Sequence, residues 1–225
     1  LRRMLKQLYD EYIIYESRIL REYAFGEEAR KNKSNKHQEI KKTYIRNQFI
    51  TCILYRLFNW KGNAKFGPIT NPTAWYYYLK GQLNNKKQIY GNAWTKICID
   101  EEEPKFEVYE RICRDIVSNA DDIILQIQTG DGINSTLEHS WIILKEYNCI
   151  GPSIAYEFVC DLRYTDILRN ATDVNTWCYI SSEAESGLKR LGLEPTLEFI
   201  QQLFNDTVFG LTQYKDTNHW VLKLY

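Results

Sequence analysis

The stretch LKEYNCIGPSIAYEFVCDLRYTDIL, residues 144–168, sets a Gly-Pro pair inside a run of apolar residues at helical spacing. Leu137, Trp141 and Leu144 lie on one helical face before the pair, and Ile154, Phe158 and Leu162 lie on another after it. Steps of three and four residues are the period of an α-helix with one buried side. A helix that stops near Asn148, turns through CIGPS and restarts is a compact helix pair. Pro152 suits the first turn of the second helix, Gly151 offers backbone angles closed to other residues, and Ala155 allows close approach. The turn also presents amides at a helix N-terminus, where aligned peptide dipoles favour an anion. Two readings follow: a helix-hairpin-helix gripping a nucleic-acid backbone through Cys149, Ile150, Gly151 and Ser153, or a plain corner in a helical bundle.

Outward from the hairpin the same period recurs. Leu5, Leu8, Tyr12, Tyr15, Ile19 and Tyr23 form a stripe that Gly26 ends. The polar run from Glu27 to Lys42 reads as a connection into a second helix carrying Tyr44, Phe49, Ile53, Leu57 and Trp60. GNAKFGPITNP reads as a loop, and Asn71-Pro72 as the capped start of a third helix, TAWYYYLKG. IDEEEPKF reads as an acidic linker, after which Val108, Ile112 and Ile116 resume a helix running through YERICRDIVSNADDIILQIQ. TGDGINST interrupts it. Thr172 or Asp173 caps a helix carrying Trp177 and Ile180, and Pro195 opens TLEFIQQLF. Strand-like alternation is confined to the tail HWVLKLY. The expectation is an all-α domain over residues 1–225 with two lobes, a basic one over 1–104 and one over 105–225 bearing the hairpin.

Composition bounds what this domain can do. A chain of 225 residues with 44 % hydrophobic and 14 % aromatic content can bury a core. No apolar run reaches the roughly 18 residues of a membrane span. The chain starts at Leu1 with neither Met nor a charged-then-apolar leader, which predicts a mature or cropped product without a secretory signal. Six scattered cysteines without a close pair predict free thiols in a reducing, intracellular compartment, and the sequons at Asn134, Asn170 and Asn205 are set aside as chance. His37, His139 and His219 are isolated, so no metal site is expected; QTGDG lacks the tail of a nucleotide-binding loop, and no cofactor is expected either. Net charge is zero, yet residues 1–65 hold 15 Lys or Arg against 7 Asp or Glu. That basic third is either an electrostatic footprint for a polyanion or a solvated surface.

The run LKEYNCIGPSIAYEFVCDLRYT resembles the signature of a family of phage and related proteins that hypermodify thymine in DNA, the alpha-glutamyl/putrescinyl-thymine pyrophosphorylase-like proteins. The helical domain of 5-hydroxymethyluracil DNA kinases is a close associate, and both are similar to the helix-hairpin-helix DNA glycosylase fold. The likeness is best from Leu144 to Thr165 and thinner over 173–192, where only Gly187 and Leu188 match a glycine-rich family motif. The tail QYKDTNHWVLKLY departs from the family's acidic ending. Upstream, IIYESRILRE and FITCILYRLFN resemble its Arg-bearing helices, which carries over Arg18, Arg56 and Asn59 as substrate contacts.

The resemblance implies a partner, double-stranded DNA with an extruded modified pyrimidine, and a reaction, transfer of a group to a 5-hydroxymethyluracil-derived base. Cations for a phosphorylated hydroxymethyl group would be Arg18 and Arg56; the carboxylate near an incoming amine would be Glu157, Asp161 or Asp173. Ser153 stands where lyases of the glycosylase fold have Lys, which disfavours Schiff-base chemistry. Asp173 alone would serve a monofunctional base glycosylase. Each residue has a structural rival: an Arg18–Glu22 pair, a pairing of Asp161 near Arg163, and an N-cap role for Asp173. Loss of the glycine-rich and acidic motifs supports the further alternative of an inactive relative acting as a DNA-binding or protein-interaction module of a larger assembly.

Overall fold

A computed structural model describes residues 1–22, 27–91, 104–129, 135–147 and 150–203, without the side chains of 18–33. The described residues are helical or in turns, and none lies in a strand, so the domain is all-α. The contact pattern separates two units, Leu1–Thr172 and Asp173–Tyr225.

The first unit is built around one helix. Helix α1 spans Arg2–Glu22 and α2 spans Glu27–Phe58. After a 3-10 segment, Lys61–Phe66, come α3 (Pro72–Asn84), α4 (Lys105–Ser118), α5 (Ala120–Gln128), α6 (Leu137–Lys145) and α7 (Pro152–Leu162). Helix α2 packs against α1, α4, α5 and α7. That many neighbours explains why Phe49, Ile50, Cys52, Ile53, Leu54, Leu57 and Phe58 are all buried, although they cover most of the circumference of the helix.

The polar run 27–42 is part of α2 and not a connection. It lacks apolar periodicity, but it is rich in Glu, Ala, Arg, Lys and Gln and holds no Gly or Pro, so intrinsic propensity carries the helix outward. Where its side chains are described, His37 meets Glu16 of α1 at 3.5 Å. On α1 the expected stripe is buried only at its start, at Leu5 and Leu8. Tyr12 stacks on Tyr44 of α2 at 4.6 Å, whereas Tyr15 is exposed. Gly26, the expected stop, and the tail HWVLKLY lie outside the described residues.

Local signals explain most helix ends. Asn71 accepts from the Ala74 amide at 3.0 Å and Pro72 opens α3. Thr136 caps α6 by accepting from the His139 amide at 3.0 Å. The single helix expected over 109–128 is two, broken at Asn119, whose side-chain amide donates to the Asp115 carbonyl at 2.9 Å and competes with helix continuation. Val108, Ile112 and Ile116 form the buried face of α4 as the spacing predicts. Gly91 is required where it stands: its amide donates to the Phe58 carbonyl at 2.8 Å, and a Cβ there would sit 2.3 Å from the Asn59 carbonyl oxygen.

In the second unit, residues 172–176 form a turn instead of the expected helix under Trp177 and Ile180. The Asp173 carbonyl accepts from the Thr176 and Trp177 amides, and the chain goes no further into helix there. The next helix, α8 (Ser182–Arg190), takes its cap from Ser181. A further helix covers 197–203, capped by Thr196.

Candidate functional site

Helices α2 and α7 bring together three residues that are far apart in the chain. Arg56, on the last turn of α2, donates from Nε to Asp161 Oδ2 and from Nη2 to Asp161 Oδ1, both at 2.7 Å. Its third nitrogen, Nη1, lies 3.1 Å from Glu157 Oε2. Glu157 and Asp161 are four residues apart, one turn of α7, so both carboxylates face the same guanidinium. The two-point contact with Asp161 is the strong, geometrically defined form of the Arg–carboxylate pair. Burial is graded: the side chain of Asp161 is 13 % exposed, that of Arg56 25 % and that of Glu157 42 %. The cluster carries one net negative charge and opens to solvent at Glu157. One turn earlier on α2, Cys52 is fully buried, and burial, reinforced by the Asp161 charge, pushes its thiol well up.

The other expected substrate contacts are placed differently. Asn59 is exposed just beyond α2 with φ 42°, a left-handed position that Asn tolerates, and its amide donates to the Tyr55 carbonyl at 2.8 Å. That is a helix-terminating role. The Arg18 side chain and Cys149 lie outside what is described. Asp173 belongs to the second unit.

The hairpin itself is open at its turn. Ile150 is buried and fixes the loop, while Gly151, Pro152 and Ser153 are exposed. Gly151 has φ −75° and ψ 166°, and nothing lies within 4 Å of where its Cβ would be, so the unusual backbone angles expected of it are not used. As N-cap residue it has no side chain to bond the first amides of α7. Ala155 is buried against α6, as its size predicts. A cation stands beside this end: Lys145 Nζ lies 4.2 Å from the centroid of the Trp141 ring, and Trp141 Nε1 donates to the Pro152 carbonyl at 2.9 Å. The pair Trp141 and Lys145, at helical i,i+4 spacing, was readable as a cation–π pair but not as a hairpin element.

Residues 19–219 match the family described as 5-hmdU DNA kinase, helical domain. The chain belongs to this family. Among curated proteins and solved structures, nothing matches it significantly. Membership relates this helical domain to hydroxymethyluracil modification, the connection that the 144–165 signature implied. The four described cysteines, Cys52, Cys113, Cys160 and Cys178, are free thiols. Among the described residues no His, Cys, Asp and Glu group has the makings of a metal site, and no helix is long and apolar enough to cross a membrane.

Proposed function

We propose that this chain is a DNA-binding domain of hydroxymethyluracil modification, with a helix-hairpin-helix of the glycosylase type formed by α6 and α7. The observation that carries the reading is the start of α7, exposed and without a side-chain cap, with the Lys145 cation held beside it on Trp141. Amides at a helix N-terminus hold phosphate oxygens without reading sequence. The basic surplus of residues 1–65 adds the non-specific attraction. In this reading Glu157, the solvent-facing end of the Arg56 cluster, receives a proton from an incoming amine, Asp161 fixes Arg56, and Asp173 is the alternative carboxylate.

Binding to a duplex containing 5-hydroxymethyluracil, titrated with salt, tests the contact. Steep weakening with salt is expected, and Gly151→Glu, which fits the open turn sterically, places a carboxylate where phosphate would sit and abolishes binding. Unchanged binding by that variant removes the hairpin from the reading. Nucleoside mass spectrometry of DNA incubated with the protein, scored with Glu157→Gln and Asp173→Asn, tests the chemistry.

One observation favours a second reading, that of an inactive DNA-binding or protein-interaction module. All three nitrogens of Arg56 face carboxylates, so the cluster offers no spare cation for a phosphorylated substrate. Silence in the mass spectra with intact duplex binding would select it.

A further inference from the structure

Helices α2, α3 and α4 enclose a cavity of about 350 Å³, at the small end of the range for small-ligand sites. Its floor is apolar, with Leu54, Phe58 and Leu79 buried. One wall is flat and aromatic: the Tyr76 and Phe106 rings stack at 5.2 Å with an interplanar angle of 28°. Trp75 lines the same cavity and is 2 % exposed, yet its indole N–H has no acceptor. A buried donor without a partner costs free energy that a bound acceptor would recover.

An acceptor faces the cavity as well. The Glu110 carboxyl is disfavoured as an anion by partial burial, but hydrogen bonds from Tyr76 and Arg114 outweigh this and hold it below the usual carboxylate range. Both Arg114 bonds go to one oxygen, Oε1, so lone pairs remain for a further donor. The Tyr76 hydroxyl, donating to Glu110, is pushed up to about 12 and keeps its proton. Burial pushes the Cys113 thiol to about 12 also, so the wall it forms is neutral.

We infer that this cavity binds a planar, uncharged heterocycle presenting a carbonyl to Trp75 Nε1–H and a ring N–H to Glu110, stacked on the Tyr76–Phe106 wall. A pyrimidine of the uracil type has that edge, a carbonyl adjoining a ring N–H. A hydrocarbon ring would fill the volume but leave the indole donor orphaned, and a cation would have to desolvate against an apolar floor. The inference deepens the proposed function by supplying a base pocket, and it rests on that reading only for the choice of 5-hydroxymethyluracil as probe.

The test is titration of the folded chain with 5-hydroxymethyl-2′-deoxyuridine, followed by the indole N–H resonance of Trp75, assigned from its loss in Trp75→Phe. The expected result is a downfield shift of that resonance, with affinity about tenfold above that for the difluorotoluene isostere of thymidine, which keeps the shape and lacks the polar edge. Trp75→Phe should erase the preference, and Glu110→Ala should weaken nucleoside binding about tenfold while leaving the isostere unaffected. Equal affinity for both compounds, or an unmoved Trp75 resonance at saturation, overturns the inference. Because the nucleoside carries no phosphate, failure of Gly151→Glu to affect duplex binding would leave these shifts untouched, so the two readings fail separately.

Discussion

The seam between α2 and α7 and the cavity between α2, α3 and α4 share a helix and differ in how their polar groups are used. At the seam, Arg56 commits every nitrogen to Asp161 and Glu157. Around the cavity, Trp75 Nε1, Tyr90 Oη and Tyr109 Oη are buried with no partner. The three rings converge on Phe58, at centroid distances of 6.1, 5.5 and 5.3 Å. Satisfied charges hold two helices together; idle donors lower stability unless something binds them. Charged residue types drew attention to the seam, while the cavity offers the unused hydrogen-bonding capacity that a neutral ligand requires.

Breaking the seam should have the largest effect. Asp161→Ala strands a guanidinium that is three-quarters covered, and we expect a loss of about 3 kcal/mol in chemical denaturation. A loss below about 1 kcal/mol would mean that the seam is no more than a surface pair. Gly91→Ala forces a Cβ against the Asn59 carbonyl and should cost about 2 kcal/mol in the same assay. If it is silent, the close approach at the end of α2 is not a constraint.

Tyr109→Phe sharpens the other side of the comparison. It removes a buried hydroxyl that bonds nothing, so stability should stay within about 1 kcal/mol of the parent or rise. A larger loss would show that the hydroxyl has a partner. The smallest effect is an acid limb. Glu110 titrates in the folded chain below its ordinary value of 4.5, so its contribution is complete above that pH and lost as pH falls through the folded value. Glu110→Gln should therefore cost a little stability at neutral pH, where solvent screening keeps the pair weak, and flatten the acid limb below about pH 4.5. An acid limb of unchanged slope in the variant would assign it to other carboxylates.

What was legible in the sequence follows from range. Apolar periodicity placed Val108, Ile112 and Ile116 on one face, and Asn71-Pro72 announced α3, because these signals act within a few residues. The polar half of α2 escaped because periodicity reports burial, and exposed good helix formers carry no such mark. Asn119 broke a helix without Gly or Pro, by bonding the carbonyl four residues back. Glu157, Asp161 and Arg56 were each singled out, but their mutual pairing spans 105 residues between Arg56 and Asp161 and is set only by packing. Asp173, expected at a helix cap, starts an isolated turn, since the residues after it do not propagate the helix.

The hairpin belongs with the idle groups, since the first amides of α7 are exposed and no side chain caps them. The most direct measurement is therefore an amide-resolved titration with duplex DNA at low and high salt. The account predicts that the Ser153 and Ile154 amides and the Trp141 indole N–H shift together at low salt and return as salt rises. Shifts confined to other surfaces, with those three signals unmoved, would contradict it.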